Sequence, residues 1–187
     1  MTLKFKSALK MGGILFFLLL SACGFKPMYG QNAVGGAGLA QVLANIEIDQ
    51  IRSIDGRQER LSQLLQNNLK DRISPLPSDG SVAYLLKANY EVEERGYGIR
   101  EDESVTLQNL KLSVAFRLVE INSEDIVMDG NARAIVTYDL VRSDFSNKIA
   151  RETSIERLSE EATNQIITRI GTYFSNNPPA AGPSGVN

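Results

Sequence analysis

The chain contains no histidine and no tryptophan, and its single cysteine is Cys23. Without histidine there is no Ser-His or Cys-His nucleophile pair, no His/Cys zinc site and no histidine haem ligand, and one cysteine makes no internal disulfide. Most familiar enzyme chemistry is excluded with them, and no cofactor is implied. A surplus of positive charge is also missing: 20 Lys plus Arg stand against 22 Asp plus Glu, net −2, with a pI near 5.3. A nucleic-acid binder uses excess cations to neutralise phosphates, so DNA and RNA are not expected partners. What remains is a chain of 187 residues, 43% of them hydrophobic, which suffices for one ordinary domain and hardly for two.

Residues 1–22 have the organisation of an export signal. Lys4, Lys6 and Lys10 form a basic start, Met11 to Leu20 an apolar core, and Ser21-Ala22 a small-residue end. That core is about half of the ~20 residues needed to span a bilayer. Leu20-Ser21-Ala22-Cys23 resembles the lipobox of bacterial lipoproteins. The resemblance implies cleavage before Cys23 and acylation of that residue, with several acyl chains making a stable membrane anchor. Gly24 stands where enteric lipoproteins kept in the inner membrane commonly have Asp, which implies sorting to the outer membrane. Loss of the three lysines with the signal takes the net charge from −2 to −5. Residues 24–41 are glycine-rich without a period, so 23–43 read as a lipidated tether and entry loop; Gly35-Gly36-Ala37-Gly38 lacks the Lys-Ser/Thr ending of a phosphate loop.

Within 44–175 the pattern reads as one α+β domain. Ile46 and Ile48 alternate with polar neighbours as a first strand, with Ile51 in the turn after it. Asp55 and Gln58 are spaced as a capping box ahead of Leu61, Leu64, Leu65, Leu69 and Ile73, a helical stripe stopped by Pro75 and Pro77. A three-strand meander follows. Its even positions are apolar: Val82, Tyr84, Leu86, Ala88, Tyr90 and Val92; then Leu110, Leu112, Val114, Phe116 and Leu118; then Ile126, Met128, Ala132, Ala134, Val136, Tyr138 and Leu140. Facing residues of an antiparallel pair share a face, so the hairpin between Ile121 and Ile126 needs an odd loop or a bulge.

Thr153 with Glu156 reads as a second capping box, opening a helix with Ile155, Leu158, Ala162, Ile166, Ile170, Tyr173 and Phe174 on one stripe, after a separate turn at Phe145–Ile149. Residues 176–187 carry the composition of a disordered tail. The expected architecture is strand-helix-strand-strand-strand-helix, with two helices on one face of a four-stranded mixed sheet. Lys87, Glu91, Lys111, Arg117, Asn131 and Arg133 lie on the other face.

The run Leu20 to Gly30, LSACGFKPMYG, resembles the processing site of the LptE family of lipopolysaccharide-assembly lipoproteins, in its alphaproteobacterial form. Further resemblance lies in Gly98-Ile99-Arg100-Glu101-Asp102, Leu110–Leu118, Gly130-Asn131-Ala132-Arg133-Ala134, Tyr138 followed by Ser143-Asp144-Phe145, and the closing helix. Leu107 departs from the Arg that the family commonly has after its equivalent of Thr106. The resemblance implies a non-enzymatic subunit, lipid-anchored at the outer membrane with its body on the periplasmic side or in the barrel lumen. There it would plug and help assemble the β-barrel LptD, the pair delivering lipopolysaccharide to the cell surface.

Lipopolysaccharide phosphates call for clustered cations, and Arg95, Arg100, Lys111, Arg117 and Arg133 are the candidates by position. The competing reading is a solvated face, since Glu91, Glu93, Glu94, Glu101 and Asp129 interleave with them. The acidic run Glu101-Asp102-Glu103 lacks the ligand spacing of a calcium loop and implies no metal. An alternative function is direct carriage of a small lipid or ligand, which requires a deep apolar cavity between sheet and helices.

Overall fold

In the computed structural model, described for residues 39–56, 59–73, 82–99 and 105–178, eight elements follow one another. They are α1 (Leu39–Ala44), β1 (Ile46–Ile48), β2 (Arg52–Ser53), α2 (Glu59–Ile73), β3 (Tyr84–Ile99), β4 (Val105–Glu120), β5 (Ile126–Asp139) and α3 (Asp144–Asn176). The signal segment with Cys23, most of the tether, the proline stop, Arg100 with the acidic run, and the end of the tail lie outside the described residues. The domain is α+β, with helices packed on one face of a mixed sheet, as expected. Sheet order is β1-β3-β4-β5, and β2 also pairs with β3, so two short parallel segments share one edge and the sheet has five strands. Leu39, Val42 and Leu43 are buried, so the end of the glycine-rich stretch is a short helix rather than loop.

Register follows the period-two pattern. Leu86 pairs with Leu118, Tyr90 with Val114 and Val92 with Leu112; Leu112 in turn faces Ala134, and Val114 faces Ala132. The required bulge is present. Leu118 pairs with Met128 but Val119 pairs with Ile126, so Val127 is the extra residue on β5. This corrects one expected core position. Beyond the bulge the parity reverses, Ile126 shares the outer face with Val119, and it is 57% exposed while Val127 packs against the core.

Leu61, Leu65, Leu69 and Ile73 of α2 are buried, and Lys70 and Arg72 in its last turn complement the helix dipole. The Gln58 half of the expected capping box lies outside the described residues; the Asp55 carboxylate accepts a hydrogen bond from the Ser53 hydroxyl. The last helix differs from expectation. It is one helix of 33 residues, capped by Ser143, whose hydroxyl accepts the Ser146 N–H. Thr153 is therefore interior, and no separate turn exists at 145–149. Nothing from Phe145 to Glu152 breaks a helix, and Asp144 places a negative charge in the first turn where the dipole favours it. The Asn147 amide fixes the entry by bonding both the N–H and the C=O of Val141.

The two long helices run in the same direction: Arg60 meets Glu156, Asn68 meets Ser159 and Arg72 meets Asn164. At the far end Phe174 is buried and packs on Tyr84, ring centroids 5.2 Å apart. Burial, with Glu120 and Tyr173 adding to it, pushes the Tyr84 phenol upward from its ordinary pKa.

Candidate functional site: the uncovered face of the sheet

All helices pack on the even-numbered face, and among the described residues nothing packs over the odd-numbered one. That face is ordered in cross-strand rows across β3, β4 and β5. Leu85–Val119–Ile126 is apolar; Lys87–Arg117–Asp129 is charged; Asn89–Ala115–Asn131 is small and polar; Glu91–Ser113–Arg133 and Glu93–Lys111–Ile135 follow, and Tyr97–Leu107–Asp139 closes the far end. Cβ atoms in such rows stand about 5 Å apart, so each row is a set of direct neighbours.

The structure separates the candidate cations. Lys111 donates to the Glu93 carboxylate at 2.8 Å and Arg95 donates to it at 3.1 Å. The Lys111 hydrogen bond, then its charge, then the charges of Arg95 and Arg133 hold the Glu93 carboxyl below its ordinary value of 4.5. Three candidates are thus gathered around one carboxylate. Arg117 is different. It stands opposite Lys87, a like charge, and neither forms an ion pair or a side-chain hydrogen bond with another described residue. Lys87 was not among the sequence candidates, although its alternation placed it on this face. Its signal is the absence of a partner, which only the cross-strand register reveals.

Two further features shape the sheet, one on its covered face and one at its edge. Gly130 pairs with Phe116, and a Cβ there would lie 2.8 Å from the ring's Cζ, so the backbone approaches the ring as no other residue permits. At the β5 edge the Gln165 amide accepts the Arg133 N–H at 3.0 Å and donates to the Arg133 C=O at 2.9 Å, standing in for a neighbouring strand. Near the far end, Arg151 ties α3 to Glu94 at 3.2 Å. Burial, then the Glu94 charge, raises the nearby Tyr138 phenol above its ordinary pKa. Among the described residues no group of three acidic or cysteine side chains is placed to hold a metal, and no helix is long and apolar enough to cross a membrane. The space between sheet and helices is filled: Leu86, Tyr90, Leu110, Leu112, Val114, Leu118, Leu158 and Ile166 have no exposed surface.

This helix-on-sheet arrangement recurs in bacterial lipoproteins. A lipoprotein of Caulobacter crescentus superposes with a TM-score of 0.57 at 26% identity, over 77% of this chain and 100% of that one. Rare lipoprotein B of Shewanella oneidensis shares the fold, with a TM-score of 0.51 at 15% identity over 70% of this chain and 98% of its own. The RP188 protein of Rickettsia prowazekii is 23% identical over 163 residues, 86% of this chain and 94% of its own. The class is therefore a lipoprotein-type α+β domain. The family model described as LptE, lipopolysaccharide-assembly, matches residues 44–170, and the chain belongs to that family.

Proposed function

We propose that this protein is an outer-membrane lipoprotein subunit, anchored through acylated Cys23, that plugs the β-barrel LptD and helps it assemble, the pair delivering lipopolysaccharide to the cell surface. The observation that carries the reading is the lipopolysaccharide-assembly match over 44–170. The geometry is compatible with it. A domain with a filled core and one uncovered, largely polar sheet face suits the polar interior of a large barrel. Its part is structural rather than catalytic. The carrier alternative calls for a deep apolar cavity between sheet and helices, where fully buried side chains from both layers meet instead.

The test is detergent extraction of the tagged, full-length chain from its own outer membrane, with mass spectrometry of whatever accompanies it and of the Cys23 peptide. The expected result is a large barrel protein in near-equal amount and an acylated Cys23. Recovery of the acylated chain alone, or with small lipids only, would overturn the plug reading in favour of the carrier.

A further inference from the structure

Strand β5 is an outer strand of the sheet, and α3 serves it twice with the same chemistry. The Gln165 amide accepts the Arg133 N–H at 3.0 Å and donates to the Arg133 C=O at 2.9 Å. The Asn147 amide accepts the Val141 N–H at 2.9 Å and donates to the Val141 C=O at 2.8 Å. From Arg133 to Val141 the extended chain covers about 27 Å, eight residues at ~3.4 Å each. From Asn147 to Gln165 the helix also covers about 27 Å, 18 residues at ~1.5 Å each. The spans match, so one helix clamps the strand at two points, each amide occupying the place of a neighbouring strand.

Between the clamps the edge is open. Backbone groups alternate along a strand, so with those of Arg133 turned outward, those of Ile135, Thr137 and Asp139 are turned outward too. Leu140, of the other parity, donates inward to the Thr106 C=O of β4 at 2.8 Å. None of the three outward backbone pairs has a partner among the described residues. The Asn109 amide donates to the Thr137 hydroxyl at 2.9 Å and leaves the Thr137 backbone free. Native edge strands are blunted by shortness, proline, lysine or a bulge. The opposite edge obeys that rule: β1 and β2 have three and two residues, and the Ile51 C=O is taken by the Ser62 hydroxyl at 2.9 Å. On β5, Ile135-Val136-Thr137-Tyr138 are consecutive strand formers without proline, glycine or lysine among them, and Ile135 is 59% exposed.

We propose that the β5 edge from Ile135 to Asp139 is a strand-addition site, which takes an extended segment of a partner protein, about five residues long, between the two clamps. The three outward N–H and C=O pairs supply the ladder, and Ile135 supplies an apolar contact. Arg133 and Asp139 set opposite charges at the two ends, and Asp139 has no ion-pair partner among the described residues. The segment that fits is therefore β-branched or aromatic in its middle, with a basic side chain beside Asp139 and an acidic one beside Arg133. A second copy of this chain fits less well. Paired antiparallel about Thr137, its Gln165 would fall where Asn147 already clamps Val141. The wall of a closed barrel has no free edge to offer, so the segment is a stretch of partner chain outside such a wall. The site does not depend on the lipopolysaccharide-assembly reading.

The test compares single-amide hydrogen exchange in the full-length chain purified alone and in the same chain extracted in neutral detergent with its companions from its own cells. The amides of Ile135, Thr137 and Asp139 should exchange about tenfold more slowly in the second sample, while those of Arg133 and Val141, already clamped, stay unchanged. Thr137→Pro removes one outward N–H at an edge, where proline is tolerated. It should melt within about 5 °C of the parent yet lose the added protection. Asp139→Lys leaves the backbone intact and should reduce the added protection about threefold. Equal exchange in the two samples, or added protection that survives unchanged in either variant, overturns the site. Protection that rises with concentration in the purified chain, together with a doubled mass by light scattering, overturns the partner segment in favour of a second copy.

Discussion

The three long strands present two faces built from alternate residues of the same segments, and the faces differ in kind. On the even face, side chains from β3, β4 and β5 meet α2 and α3 in one continuous core. On the odd face, composition changes row by row, from aliphatic through cationic to mixed charge. Burial couples every residue of the first face to its neighbours, so each is fixed by volume. Solvent uncouples the rows of the second, so each is free to be tuned at little cost to folding. Specific recognition can therefore reside on the open face without weakening the fold.

That contrast breaks if the two faces respond alike to the same change. Leu112→Ala removes a side chain with no exposed surface that lies between Val92 and Ala134. It should cost about 2–5 kcal/mol by urea unfolding. Ser113→Ala, one residue on and facing outward, should stay within about 0.5 kcal/mol. Equal losses would mean that the open face is covered in solution. Gly130→Ala probes the covered side differently, by overpacking: its Cβ meets the Phe116 ring at 2.8 and 3.1 Å. A loss of about 1–3 kcal/mol is expected, and Phe116→Leu in the same chain should reduce the penalty in a double-mutant cycle.

Smaller effects sharpen the picture at the boundary. Gln165→Ala returns the Arg133 N–H and C=O to water. About 1 kcal/mol should be lost, and light scattering should show more self-association, because an edge strand with free backbone groups templates pairing. The slightest change is electrostatic. Glu93 titrates below its ordinary value of 4.5, so its contribution to stability is present above that value and is lost as pH falls through the lower, folded value. Lys111→Gln should move the Glu93 titration, followed by carboxyl NMR, back up toward the ordinary range and remove part of that acid-side loss.

The covered face was legible because period-two alternation from Tyr84 to Val92 and from Leu110 to Leu118 admits one parity only. The hairpin was legible as a constraint but not in detail. Ile126-Val127-Met128 is apolar at three consecutive positions, so the sequence alone does not say which one bulges, and unbroken alternation puts Ile126 inside. Thr153 misled for a related reason: Thr-x-x-Glu has capping chemistry wherever it falls, while the true boundary needed the Asn147 clamp on Val141, a contact set by three-dimensional approach. On the open face, alternation reads which residues point outward but not which of them pair. Glu93 is one carboxylate among several in the sequence. That it gathers Lys111 and Arg95 while Lys87 and Arg117 are left to face each other depends on register and rotamer.

The short parallel segments β1 and β2 carry a kinetic consequence. Ile46 reaches its partner Tyr84 only after α2 has been traversed, whereas β3, β4 and β5 pair through hairpins close in sequence. Contacts of long sequence separation are the slow ones to close, so the meander with α3 should form first and the β1–β2 edge should dock last. Run backward, the same ordering makes that edge the first to exchange its amide hydrogens, a local opening along β3 that leaves the rest of the sheet intact.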